Sequence, residues 1–263
     1  MTDCAITKLN VRGCDITLRS GGTGRPLIML HGASDGGCWL PCMADLAARH
    51  NVMVPEHPGY ETSATPDWLD TIADLANFYL DVLDQLDLSG IDLVGCDLGG
   101  WTAAELAVRN TRRLSSLTLV GSLGIHVPGV AQVDTFLGAD TERIRALFHD
   151  SRRADDTLQR VLRPEREDTE LRNQTTTARL TWQPRGYDPQ LAKWLHRIDV
   201  PTLLVWGADD RLTPPEHAHV YQRLIPGSQL AIIPACGHLP HIEQQQPFVA
   251  AIEGFLAKMK AAA

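Results

Sequence analysis

Short, predominantly apolar runs separated by longer amphipathic stretches constrain this chain more than any other feature. Residues 26–30, 51–55, 91–95, 114–120, 202–206 and 229–233 are such runs. A strand exposed on one face alternates polar and apolar residues, whereas a strand covered on both faces does not. Between the runs lie segments of helical period. Over 69–86 the residues Ile72, Leu75, Tyr79, Val82, Leu83 and Leu86 recur at helical spacing, with Asp74, Asp81 and Asp84 on the other side. Residues 100–109, 217–224 and 247–258 read as further helices. Strands alternating with helices predict an α/β fold: a mostly parallel central sheet with helices on both faces. At the start, 5–12 and 14–19 read as a hairpin followed by a turn at 20–24, adding an antiparallel pair to one edge.

One stretch breaks the alternation. From 124 to 196 there is no strand pattern, and the segment is polar, helical in character and rich in arginine. It is too long for a connecting loop. We read it as a helical lid (124–196) over the carboxyl ends of the strands, with 1–123 and 197–263 forming the core. The 263 residues suit one such domain with an insertion, large enough to fold without metal or disulfide support.

Composition narrows the function classes. A net charge of −8 argues against a nucleic-acid or anionic-membrane partner. The opening Met1-Thr2-Asp3-Cys4 lacks the basic and apolar regions of an export signal, and no run is long enough to span a bilayer, so the expectation is a cytoplasmic protein. The six cysteines form no CxxC pair and no zinc-type cluster; they read as reduced thiols, with no metal site.

The chemistry concentrates at Ile91-Asp92-Leu93-Val94-Gly95-Cys96-Asp97-Leu98-Gly99-Gly100-Trp101, where an apolar strand enters Gly-x-Asp-x-Gly and passes directly into a helix. The spacing is that of a nucleophile elbow: the apex residue sits on a strained turn, and the glycines let strand and helix approach closely. The apex side chain, Asp97, is raised over the sheet at a helix N-terminus, where negative charge is favoured. Cys96 lies one residue off the apex and faces into the fold. The same glycines do not form a GxGxxG phosphate loop, so no cofactor is expected.

With that elbow the chain resembles the α/β-hydrolases, and three further motifs stand in the family's order. His31-Gly32-Ala33 resembles the oxyanion turn, which implies the backbone N–H groups of Ala33 and Leu98 as donors. Trp206-Gly207-Ala208-Asp209-Asp210-Arg211-Leu212-Thr213-Pro214 resembles the acid loop; Asp210 has the spacing, and Asp209 is expected at the surface. Ile233-Pro234-Ala235-Cys236-Gly237-His238 resembles the histidine loop, with His241 structural. The resemblance thus implies Asp97, Asp210 and His238 as catalytic residues. His50, His149 and His219 are expected at the surface or in packing. Gly32, Trp182, Tyr187 and His126 are expected to line the substrate site beneath the lid, in an apolar pocket for a small, mostly apolar molecule.

Aspartate at the apex, where most of the family carries serine, decides the expected chemistry. A carboxylate attacking an ester gives a mixed anhydride, whereas attack on an sp³ carbon with a good leaving group gives an alkyl ester. Water activated by His238 and Asp210 then cleaves that ester. Asp97 therefore makes the chain similar to epoxide hydrolases and dehalogenases, and an epoxide or organohalide is the first expectation. Their accompanying signatures are missing: Leu98 stands where dehalogenases place Trp or Arg, Ser34 where epoxide hydrolases place Pro, and Tyr187 is the one lid tyrosine. Val54-Pro55-Glu56-His57-Pro58-Gly59, Gly99-Gly100-Trp101 and Arg179-Leu180-Thr181-Trp182-Gln183-Pro184 resemble instead the serine-dependent esterases and C–C bond hydrolases. The alternative is therefore an ester, lactone or C–C bond hydrolase with its serine replaced by Asp97.

Overall fold

The computed structural model describes residues 4–262; Met1, Thr2 and Asp3, read above for an export signal, and Ala263 lie outside them. Eight strands form one sheet: β1 Ala5–Val11, β2 Cys14–Gly21, β3 Arg25–Leu30, β4 His50–Pro55, β5 Ile91–Cys96, β6 Leu114–Val120, β7 Thr202–Gly207 and β8 Gln229–Ile233. Their order is β1-β2-β4-β3-β5-β6-β7-β8. β2 runs antiparallel to both β1 and β4, and every other pairing is parallel. The hairpin therefore closes one edge, as the sequence pattern predicts. β2 continues to Gly21, through the start of the expected turn, because Ser20 and Gly21 pair with Met53 and Val52 of β4.

The apolar runs serve two faces at once. In β3, Ile28 and Leu30 enter one core while Leu27 and Met29 enter the other; in β7, Leu204 and Trp206 oppose Leu203 and Val205. The first face is covered by α2 (Ile72–Gln85), α3 (Leu98–Arg109) and α8 (Pro215–Leu224), the second by α1 (Pro41–Ala47) and α10 (Gln245–Ala262). Alternation in space thus looks like an unbroken apolar run in sequence.

Two helix starts differ from the periodicity. α2 begins at Ile72 rather than 69 because Thr71 caps it. The Thr71 hydroxyl accepts the Asp74 N–H (3.1 Å), and the Asp74 carboxylate accepts the Thr71 N–H (2.9 Å). α3 begins at Leu98, two residues earlier than expected, with Gly99 and Gly100 inside its first turn. α1 has no counterpart in the sequence reading: seven residues give too few repeats for a period to stand out, although Pro41 opens it and Cys42, Met43 and Leu46 are buried.

Between β6 and β7 the chain forms α4 (Asp140–Ala146), α5 (Ala154–Val161), α6 (Glu167–Thr181) and α7 (Leu191–Trp194), and no strand among the described residues. This helical insert carries its own small core of Ile144, Leu147, Phe148, Leu158 and Val161, closed by Leu239 beyond β8. Polar bonds seat α6 on the loop after β4. Thr176 donates to the Gly59 carbonyl (2.9 Å), and Asn173 accepts the Glu61 N–H (2.9 Å). Tyr60 meets the Thr177 hydroxyl at 2.7 Å. α9 (Pro240–Glu243) follows the last loop. Among the described residues no helix is long and apolar enough to cross a membrane.

Two glycines give a direct test of this packing. A Cβ on Gly99 would lie 2.3 Å from the Leu30 carbonyl oxygen, whereas one on Gly254, within α10, would meet nothing within 4 Å. Gly99→Ala is expected to cost about 3 kcal/mol or more, since rigid backbone must move. Gly254→Ala is expected to stabilise the fold by about 0.5–1 kcal/mol through helix propensity. Urea denaturation of both variants checks the pair.

Candidate active site

The carboxyl ends of β3, β5, β7 and β8 bring four loops together, where an α/β sheet with a parallel centre places its ligands. After β5 the chain turns at Asp97 with φ 53° and ψ −117°, a left-handed backbone that a side chain adopts only under constraint. The constraint is visible on both sides: the Asp97 N–H donates to Val120 O (2.9 Å), and its carbonyl accepts the Gly100 (3.0 Å) and Trp101 (3.2 Å) N–H groups. A Cβ on Gly95 would lie 2.3 Å from the Gly99 carbonyl, so strand and helix can meet only with glycine there.

Asp97 is buried, and its two oxygens have different surroundings. Oδ2 accepts the Ala33 N–H at 2.9 Å. Oδ1 lies 3.3 Å from His238 Nε2, within ion-pair distance but off the line of a hydrogen bond. On the other side of the ring, His238 Nδ1 donates to Asp210 Oδ2 at 2.9 Å. Asp210 is held in turn by the Leu212 and Thr213 N–H groups, both 2.9 Å from Oδ1, and by the Thr213 hydroxyl, 2.8 Å from Oδ2. Burial by itself would lower the His238 pKa, but Asp210 first and Asp97 second raise it to about 10. At neutral pH the imidazole is therefore a cation between two carboxylates.

The sequence-derived candidates divide in space. Asp97, His238 and Asp210 meet in one row, with Ala33 donating to its far end. Leu98 is buried at the first position of α3, next to the apex. Gly32 stands behind Asp97 rather than on the cavity wall; a Cβ there would come within 2.9 Å of Oδ2, so its lack of a side chain leaves room for the carboxylate. Tyr187 lines the cavity. Trp182 and His126 do not. Trp182 is 50% exposed, packs edge-on against Phe136 and carries the Arg185 guanidinium 4.3 Å over its ring. The cavity-facing residues of α6 are Glu170, Asn173, Gln174, Thr177 and Thr181, one stripe at helical spacing, and Trp182 lies off that stripe. His126 is exposed and stacks on Tyr187 from outside, centroids 5.1 Å apart.

Asp209 is exposed and pairs with exposed His149 (2.9 Å), while His50 is buried against Glu253. Cys96 points into the second core, where burial raises its thiol far above the ordinary range.

Several supporting groups had no signal in the sequence. Thr213 is one. Glu243 is another: its buried carboxylate accepts the N–H groups of Gly237 (2.6 Å), His149 (3.1 Å) and Asp150 (2.8 Å), tying the His238 loop to the insert. A second buried acid–imidazole pair, Asp35 with His241 at 3.3 Å, joins the Ala33 turn to the same loop. The His57 N–H donates to His31 Nε2 (2.9 Å) and its ring Nε2 donates to the His31 carbonyl (2.8 Å), so the Glu56-His57-Pro58-Gly59 segment braces that turn from below.

The cavity above Asp97 measures about 490 Å³. Leu123, Ile125, Val133, Phe136, Ile144, Leu147, Val161 and Leu212 supply its apolar wall. The expected apolar lining accounts for only part of the wall, since the α6 stripe, Asp134, Asp140, Arg143 and Arg185 add polar groups from the insert. Helical period on a polar segment reveals that a helix exists, but not which face closes a cavity.

The family described as alpha/beta hydrolase fold matches residues 25–245. Among curated proteins, the chain is similar to a 2-hydroxy-6-oxo-6-(2'-aminophenyl)hexa-2,4-dienoic acid hydrolase of Metapseudomonas resinovorans, at 28% identity over 95% of this chain and 90% of that one. It is also similar to a 2-hydroxymuconate semialdehyde hydrolase of Pseudomonas putida, at 29% identity over 95% and 93%. Among solved structures, a serine hydrolase involved in carbazole degradation shares the fold, with a TM-score of 0.78 and 23% identity over 97% of this chain and 99% of that one.

The charge row makes a measurable prediction. Because the folded pKa of His238, about 10, lies above its ordinary value of 6.5, its stabilising contribution is whole below about pH 6.5 and is lost as pH rises toward 10. NMR titration of the His238 ring is expected to find it protonated at pH 8. Asp97→Asn, which removes one of the two flanking charges, moves that titration downward and flattens the loss of stability between pH 7 and 10. A ring that is neutral in the parent chain at pH 7 would contradict the assignment.

Proposed function

The chain belongs to the α/β-hydrolase family, and on that premise we propose that it is built on the serine-dependent framework of C–C bond and ester hydrolases, with Asp97 where the attacking serine stands. The observation that carries this reading is the relay of Asp210, Thr213 and His238, directed at the apex from hydrogen-bonding distance. The reading is also supported by relatives named as a 2-hydroxy-6-oxo-6-(2'-aminophenyl)hexa-2,4-dienoic acid hydrolase and a 2-hydroxymuconate semialdehyde hydrolase, each similar along 95% of the chain, and by Leu98 and Ser34 standing where dehalogenases and epoxide hydrolases carry other residues. The helical insert acts as the lid, and the substrate is a small molecule held between it and the elbow.

In such a framework a serine hydroxyl gives its proton to His238 and attacks a carbonyl, whose oxygen charges up against the Ala33 and Leu98 N–H groups. Asp97 opposes both steps. Its Oδ2 already occupies the Ala33 N–H, and its charge adds to that of Asp210 in holding His238 protonated, which makes the ring a poorer base. The chain as it stands is therefore expected to be poor at acyl transfer, and Asp97→Ser to restore it.

A second reading has one observation in its favour: Oδ2 is held on a backbone N–H while Oδ1 is buried without a hydrogen bond. A carboxylate so fixed is oriented to attack an sp³ carbon, forming the Oδ–C bond as halide or an epoxide oxygen departs with its electron pair. Alkylation also removes the Asp97 charge, which lowers the His238 pKa so that the ring gives up its proton, to the epoxide alkoxide or to solvent. Water then loses a proton to His238 as its oxygen adds to the ester carbonyl, and collapse of the adduct breaks the bond between the carbonyl carbon and the alkyl oxygen, which leaves as the alcohol with that proton and frees the Asp97 carboxylate.

One panel separates the two. The parent chain and Asp97→Ser are assayed on 4-nitrophenyl butyrate, a vinylogous 1,5-diketone, an aryl epoxide and a bromoalkane. The first reading expects the Ser variant to gain about a hundredfold or more on the ester or diketone, with the parent inert on epoxide and bromide. Turnover of epoxide or bromide by the parent, lost in Asp97→Ser, establishes the second. A folded Ser variant that is inert on both carbonyl substrates would count decisively against the first.

A further inference from the structure

The polar half of the cavity has a sign. Four carboxylates line it, from Asp97, Asp134, Asp140 and Glu170, against two guanidiniums, from Arg143 and Arg185. Both guanidiniums are already engaged. Arg185 pairs with Asp134 and lies over the Trp182 ring, and Arg143 meets Asp140 at 2.7 Å. Glu170 shares its partner: Arg166, itself off the cavity wall, lies 2.7 Å from both Glu170 and Glu61, so one positive charge serves two negative ones. At the floor, the single charge of His238 is divided between Asp97 and Asp210. No cation on the cavity wall is left without a carboxylate beside it, and two acidic groups exceed their partners.

A substrate carboxylate entering this cavity would lose hydration, find each guanidinium already paired and face an excess of negative charge. A neutral molecule meets no such opposition, and an ammonium group finds acceptors on Glu170 and Asp140. We infer that this cavity selects an uncharged or positively charged substrate over a carboxylate, with Asp140 and Glu170 as the charge-selecting residues. The inference deepens the hydrolase reading and rests on it for the claim that the cavity is the substrate site. Asp140 is the first residue of α4 and Glu170 lies in the first turn of α6, so both line the cavity from helices of the insert.

The test uses three ligands of one shape, 4-phenylbutyramide, 4-phenylbutylamine and 4-phenylbutyrate, titrated calorimetrically into the full chain at pH 7.5. The amide and the amine are expected to bind about tenfold or more tightly than the acid. Asp140→Asn, which frees Arg143, and Glu170→Gln are each expected to narrow that gap by strengthening the acid and weakening the amine. An acid that binds as well as the amide overturns the inference, as do a ratio unchanged in both variants and a failure of amide and amine to bind at all. Because binding requires no turnover, these results stand apart from the Asp97→Ser assay. Loss of the hydrolase reading would show there, as a folded variant inert on the ester and the diketone.

Discussion

Everything functional in this molecule depends on how closely β5, α3 and β3 approach at the elbow. Gly95 faces the Gly99 carbonyl and Gly99 faces the Leu30 carbonyl at distances no side chain could occupy. That contact forces the backbone at Asp97 into a conformation unfavourable for a side-chain-bearing residue. It also fixes where the carboxylate stands: over the sheet, next to the Ala33 turn and opposite the His238 loop. The sheet supplies the rigidity, since β5 is central, paired on both sides and buried throughout.

Around that point the charges are arranged as a row rather than as isolated pairs. Asp210 is held by two backbone N–H groups and a hydroxyl, so it remains an acceptor fixed in direction, and His238 follows it. Asp210 first and Asp97 at the other end together raise the ring's pKa against its burial. A carboxylate at the apex therefore adds to the charge that raises the histidine pKa and fills a backbone donor at the Ala33 turn.

The helical insert is seated by polar contacts, among them Thr176 on Gly59, Asn173 on Glu61 and Arg160 on the Ser34 carbonyl (2.6 Å). Such bonds fix position while leaving the cavity wall polar, in contrast to the two apolar cores on the sheet. Buried groups near the site, Glu243 and the Asp35–His241 pair, join the insert and the Ala33 turn to the histidine loop. The loops that carry Ala33 and His238 are thus coupled by carboxylates as well as by the backbone.

The sequence by itself determined the layered sheet, its edge hairpin and the elbow, because these depend on local pattern: apolar runs of strand length, helical period and glycines at fixed offsets. It also placed Asp97, Asp210 and His238 on the loops after β5, β7 and β8, since each follows a strand that the pattern reveals. It did not determine which faces of the insert look inward. Trp182 and Tyr187 are equally plausible as wall residues in sequence, and only the rotation of α6 and the path of the loop after it send one outward and bring the other in. α1 escaped for want of length, Glu243 and Asp35 because their partners are backbone atoms or distant in the chain, and Thr213 because its hydroxyl meets Asp210 only through the turn of the folded loop. The charge balance of the cavity was likewise decided only in three dimensions, where an arginine counts as free or engaged according to the carboxylate that packing sets beside it.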